Sequence, residues 1–154
     1  MTTTTRQTPG TAPTGTQPAK TVSHVLGEIT WLLSQSPLHK TMFIADLEWY
    51  VMPAILLEQF RIFPGPNGQP AGLVLWGSIS DETEQRLHEN KVRLAPHEWK
   101  GGSNLWLIDM VAPFGGQEEM LADCAASIFN GKPFKYQIAT PTGVEIVTHN
   151  PTAH

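Results

Sequence analysis

The sequence predicts an α+β domain, a central, mostly antiparallel mixed sheet flanked by helices. Apolar residues at helical spacing fill residues 23–35 and recur over 117–129. Short runs rich in Val, Ile, Leu and aromatic residues fall at 59–63, 71–79, 105–112, 136–139 and 144–148, with turn residues between neighbours. The resulting order is α, α, β, β, α, β, α, β, β, and strand pairs interleaved with helices build α+β sheets.

Residues 1–22 read as a disordered N-terminal tail. Positions 1–21 are nearly all Thr, Pro, Gly, Gln and Ala, which bury too little apolar surface to offset their ordering entropy. A single folded domain is expected over 23–150, a length that suits one core. The first helix places Val25, Leu26, Ile29, Leu32 and Leu33 on one face. Ser36-Pro37 then reads as the start of a second helix running past His39 and Phe43 to about Trp49. Ser is a favoured N-cap and Pro a favoured first helical residue. Met52-Pro53 breaks that helix, because Pro disfavours helical geometry in the residue before it. A strand pair at 59–63 and 71–79 is joined by the turn-forming run Pro64-Gly65-Pro66-Asn67-Gly68. A polar helix is expected over 81–90, with Asp81 and Glu84 as a capping box and His88 solvated. Residues 105–112 form the strongest strand, ended by Pro113-Phe114-Gly115-Gly116. The helix 117–129 and two short strands joined by Pro-Thr-Gly complete the domain.

Net charge is −4, which argues against a nucleic-acid-binding surface. No stretch approaches the roughly 20 apolar residues that span a bilayer, and no signal sequence opens the chain, so a cytoplasmic protein without stable membrane insertion is expected. The lone cysteine, Cys124, allows no internal disulfide and reads as a buried structural thiol. No metal site is expected.

Two residues stand out chemically. In a first helical turn His39 would feel the positive helix end, which favours neutral imidazole, the form a general base requires. Asp109 interrupts an apolar strand. Strict alternation puts it on one face with Leu105, Leu107 and Val111, opposite Trp106, Ile108 and Met110. A carboxylate there needs a partner: a structural Arg, an exposed edge, or a base such as His39 whose tautomer it would fix.

The segments Gly27-Glu28-Ile29-Thr30-Trp31-Leu32, Ser36-Pro37-Leu38-His39-Lys40, Met52-Pro53-Ala54-Ile55, Leu75-Trp76 and Trp106-Leu107-Ile108-Asp109-Met110-Val111-Ala112-Pro113-Phe114-Gly115 together resemble the toxin-activating lysine acyltransferases that mature RTX toxins. The resemblance covers about residues 24–147. It implies a GNAT-like acyltransferase fold. It also implies transfer of a fatty acyl chain from acyl carrier protein to internal lysines of an RTX-type protoxin. In this reading His39 and Asp109 are catalytic and Ser36 supports them, with no permanently bound cofactor. The implied partners are acyl carrier protein and the protoxin, with a possible homodimer. Tyr50 stands where the resemblance leads one to expect an asparagine, within an unusually acidic stretch at 45–50. His39 would deprotonate the lysine amine or carry the acyl group itself as an acyl-imidazole. Glu118 and Glu119 after the glycines disfavour a coenzyme A diphosphate, and Lys40, Arg61, Lys91, Arg93, Lys100, Lys132 and Lys135 are candidates for docking an acidic carrier protein. The alternatives are a GNAT-like enzyme using acyl-CoA on a small amine, and a catalytically inactive toxin-binding chaperone.

Overall fold

The computed structural model describes residues 20–89 and 93–150. Residues 1–19 of the expected N-terminal tail, and Lys91, lie outside the described residues, while Thr21 and Val22, also assigned to that tail, are instead the cap and first residue of a helix. Five strands form one sheet in the order β1-β2-β3-β4-β5. They are β1 (Phe60–Pro64), β2 (Pro70–Ile79), β3 (Asn104–Val111), β4 (Phe134–Thr140) and β5 (Gly143–His149). Neighbours are antiparallel except β3 and β4, which are parallel. This is the mixed, mostly antiparallel sheet that the sequence predicts.

Helix α1 (Val22–Ser34) begins where the Thr21 hydroxyl accepts the His24 amide. Its apolar stripe, Val25, Ile29, Leu32 and Leu33, is buried against Leu73, Leu75, Ile79, Trp106 and Val111 on one sheet face. Full burial of each such side chain contributes about 1.5–3 kcal/mol. The short helices α2 (Leu47–Tyr50) and α3 (Met52–Leu57) lie on the same side and add Tyr50, Val51, Ala54 and Ile55. On the opposite face, α5 (Gln117–Asp123) and the wider turn that continues it over Cys124–Ile128 bury Met120 and Cys124 against Val74, Leu107, Phe129 and Phe134. Cys124 is fully buried, as expected, and burial pushes its thiol up to about 11.

Three further sequence expectations change. Ser36 does not start a helix: it closes the previous one, its amide bonding to the Leu33 carbonyl. Pro37, lacking an N–H, stops α1 there, and residues 37–41 form turns before a short 3-10 segment at Ile44–Asp46 leads into α2. The Ser36 carbonyl, not its hydroxyl, accepts the amides of His39 (3.0 Å) and Lys40 (2.9 Å). His39 therefore sits outside any helix dipole, and the Ser36 hydroxyl is not a cap. Second, the cap of α4 (Asp81–His88) is Ser80, whose hydroxyl accepts the Thr83 amide, rather than Asp81. Glu84 instead reaches from this helix to Trp106 of β3 and Lys135 of β4. Third, the helix after Gly116 is not α-helical throughout, because the Phe129 amide reaches back five residues to the Cys124 carbonyl. His88 is exposed, as expected, with its ring edge-on to Trp106.

The pairing of β2 with β3 carries the change that matters most. Leu75 faces Asp109 and Trp76 faces Leu107, so Ile108 has no partner and β3 bulges by one residue. Side chains before the bulge keep one phase: Trp106 and Ile108 face α1, Leu105 and Leu107 face α5. After it the phase is reversed, with Met110 towards α5 and Val111 towards α1. Asp109 falls at the switch and turns to the α1–α2 side, the face opposite to the one that strict alternation assigns.

Candidate active site

The turn at 36–41, helix α2 and the bulge of β3 bring Ser36, His39, Tyr50 and Asp109 together. The Ser36 hydroxyl lies 2.6 Å from His39 Nδ1. On the other side of the ring, His39 Nε2 lies 3.0 Å from Asp109 Oδ2, across 70 residues of sequence. The Tyr50 hydroxyl donates to the same Oδ2, and the Met110 amide donates to Oδ1 at 2.8 Å. All three site residues nominated from the sequence are thus in one hydrogen-bonded chain, Ser36–His39–Asp109. Among the described residues Asp109 pairs with no arginine; its partners there are His39, Tyr50 and its neighbouring amide.

The geometry selects a tautomer. A carboxylate oxygen only accepts, so Nε2 carries the proton. Nδ1 then holds the lone pair and accepts from the Ser36 hydroxyl. After proton capture the imidazolium donates from both nitrogens, and an acceptor oxygen already stands at each. Both states of the ring are therefore satisfied without rearrangement. Ser36 is buried, the His39 side chain is 14% exposed and that of Asp109 is 30% exposed. Water thus reaches the site only in part.

Sequence reasoning did not assign Tyr50 a role. Its ring is buried, stacks beside His39 with centroids 6.1 Å apart and meets Trp49 edge-on. Burial, and then the Asp109 carboxylate it contacts, push the Tyr50 phenol well above its ordinary range. The one signal in the sequence was the substitution itself, a tyrosine where the resemblance implies an asparagine.

His39 and Asp109 stand on the wall of a cleft of about 490 Å³. It exists because β3 and β4 pair only at Trp106 and Lys135 and then diverge. The gap is lined by Leu107, Ile108, Met110, Leu121, Ile138 and Val144, with Glu118 at its edge. A smaller groove of about 180 Å³ reaches His39 from the other side, past Leu33, Met42, Phe43 and Leu47. Phe43, Ile44 and Leu38 around these openings are largely exposed.

Of the basic residues nominated for docking, three already have acidic partners: Arg61 with Asp123, Arg93 with Asp46 and Lys135 with Glu84. Arg93 also lies over the Trp49 ring. Lys40 lines the smaller groove beside His39. Among the described residues no group of three or more His, Cys, Asp and Glu side chains is arranged to hold a metal ion, and no helix is long and apolar enough to cross a membrane.

Fold and site together define an α+β protein with a hydrogen-bonded Ser–His–Asp chain on the wall of a cleft in its sheet. Residues 18–148 match the model of the RTX toxin acyltransferase family, and the chain belongs to that family. It is 40% identical over 92 residues to the leukotoxin-activating lysine-acyltransferase LktC serotype A1 of Mannheimia haemolytica, covering 60% of this chain and 54% of that one. It is 26% identical over 108 residues to the lysine-acyltransferase RtxC of Vibrio cholerae, covering 70% and 71%. An uncharacterized protein of Synechocystis is 31% identical over 112 residues, covering 72% and 76%. The chain thus spans little more than half the length of the leukotoxin activator it matches.

Proposed function

We propose that this protein is a protein-lysine acyltransferase that moves a fatty acyl chain from acyl carrier protein to the ε-amine of internal lysines in an RTX-type protoxin, and so activates it. The observation that carries this reading is the Ser36–His39–Asp109 chain on the wall of an apolar cleft. A lysine amine is protonated at neutral pH and must lose a proton before it attacks a thioester. His39 accepts that proton, and Asp109 and Ser36 hold the imidazolium from its two sides. The amine nitrogen then bonds to the acyl carbon, the carbon–sulfur bond breaks, and the carrier thiolate takes up a proton.

General-base catalysis is favoured over an acyl-imidazole, because both ring nitrogens are engaged. A proton travels along an existing hydrogen bond, whereas acylation needs a bare nitrogen facing the carbonyl. The cleft suits an acyl chain: its floor is aliphatic, and the divergence of a parallel strand pair is in keeping with a GNAT-like arrangement. Glu118 at the cleft edge supports a carrier-protein donor over coenzyme A, since a carboxylate there repels a diphosphate. In this reading the domain works in the cytoplasm, needs no permanently bound cofactor, and meets acyl carrier protein and the protoxin as successive partners.

The test is transfer in vitro. Purified protein is mixed with protoxin and either acyl-loaded carrier protein or acyl-CoA, and acylated lysines are mapped by mass spectrometry. Lysine acylation from the carrier-protein donor is expected. Transfer from acyl-CoA alone onto a small amine overturns the reading in favour of a metabolic N-acyltransferase. Protoxin binding with no transfer from either donor overturns it in favour of a chaperone.

A further inference from the structure

The shared oxygen of Asp109 assigns a role to Tyr50. Oδ2 accepts both the His39 Nε2–H and the Tyr50 hydroxyl, while Oδ1 is held by the Met110 amide. Two donors compete for the electron pairs of one carboxylate oxygen. Whatever charge the phenol draws from Oδ2 is not available to stabilise an imidazolium.

We propose that Tyr50 is a positioning residue that acts through Asp109, fixing the carboxylate against His39 and lowering the proton affinity of the imidazole. This rests on the general-base reading only for its consequence in catalysis; the effect on His39 stands on geometry. Tyr50 comes from α2, Asp109 from β3 and His39 from the turn after α1, so the phenol ties three separate elements to one oxygen. The ring is buried and stacked beside the imidazole, so the hydroxyl has one approach to the carboxylate. The phenol stays protonated throughout the working pH range, since burial and the adjacent carboxylate both push its titration upward. It therefore donates in both states of His39. Without Tyr50, Asp109 would be a stronger partner for imidazolium, and His39 would hold its proton to higher pH. A base that does not release its proton cannot accept the next one from a lysine.

The other titratable groups that line the two cavities reaching His39 are Lys40 on its own turn, Glu118 from α5 and Tyr136 from β4. A change at Tyr50 leaves them in place. The experiment is an NMR titration of the His39 ring in the full chain and in Tyr50→Phe, each with Asp109 intact and with Asp109→Asn. Tyr50→Phe is expected to raise the His39 midpoint by about 0.5–1 pH unit, the size of an ordinary effect of a neighbouring hydrogen-bonded charge. The same substitution should have little effect when residue 109 is Asn. The acidic limb of kcat/KM for lysine acylation should move up by the same amount. An unchanged or lowered midpoint overturns the proposal, as does an equal shift in both backgrounds, which would mark a merely structural role. In the parent chain the Tyr50 hydroxyl proton should appear as a slowly exchanging downfield resonance that couples to the His39 titration; its absence counts against the proposal even if Tyr50→Phe misfolds. A raised midpoint without acylation of any acceptor would instead sink the acyltransferase reading and leave Tyr50 its role.

Discussion

Replacing Asp109 with Asn tests the relay most directly. The Met110 amide donates to Oδ1 at 2.8 Å, so the amide oxygen of Asn takes that position and its NH2 group replaces Oδ2. That NH2 then faces two donors, the Tyr50 hydroxyl and the His39 Nε2–H. His39 escapes the clash by changing tautomer: Nε2 becomes the acceptor and Nδ1–H turns to Ser36 at 2.6 Å. Two losses follow. A hydrogen bond to a charged partner contributes about 1.5–3 kcal/mol. With Asp109 30% exposed, solvent screening brings this to about 2 kcal/mol, or about 30-fold in rate. The tautomer change removes the lone pair from Nδ1 and carries the loss towards about 10³-fold. Single-turnover acyl transfer, followed by intact mass of the acceptor, measures the chemical step. Circular dichroism and thermal melting confirm the fold. A folded Asp109→Asn protein that transfers within about threefold of the parent rate would refute the relay.

His39→Ala should slow transfer by about 10²–10⁴-fold, the usual contribution of a general base, with the melting temperature little changed because the side chain packs at the cleft wall. Ser36→Ala should cost about fivefold, from one net hydrogen bond of about 1 kcal/mol to Nδ1, and a loss as deep as that of His39→Ala would mark Ser36 as a nucleophile instead. Gly102→Ala should destabilise the domain by about 2–3 kcal/mol, because an added Cβ would lie 2.4 Å from the Ile79 carbonyl oxygen, in backbone that cannot swing aside; urea denaturation measures this, and an unchanged midpoint contradicts the packing. Hydrogen bonds from Arg86, aided by the Ala95 amide, hold the Glu98 carboxyl at about 2. Its stabilisation is therefore complete above the unfolded value of about 4.3 and is lost as pH falls towards 2. Because Arg86 is 37% exposed, the contribution is about 1 kcal/mol, and Glu98→Gln should flatten the acid limb of the stability curve by that amount.

How far the site was legible in the sequence differs from residue to residue. Asp109 was legible because a carboxylate inside an apolar strand demands a partner. His39 was legible for the wrong reason: Ser-Pro favours a helix start that would place it in a first turn, but here the preceding helix claims the Ser36 amide and Pro37 ends it. Ser36 as a supporting residue came only from the resemblance. The bulge at Ile108 left no mark in β3 itself, since Leu, Ile and Met suit either face. Tyr50 was legible only as a departure, a tyrosine where the resemblance implies an asparagine.

The sequence by itself determined the element order, the α1 stripe, the buried Cys124, the break at Met52-Pro53 and the hairpin joined by Pro-Thr-Gly. These follow from periodicity and turn chemistry, which act over a few residues. Only the tertiary structure decided which face Asp109 takes, that Ser36 serves the imidazole rather than a helix end, and that Tyr50 shares the oxygen His39 uses. Those outcomes depend on the register between β2 and β3 and on where the chain after α1 lies against the sheet. Both are set by packing between segments up to 70 residues apart, where local propensity has no influence.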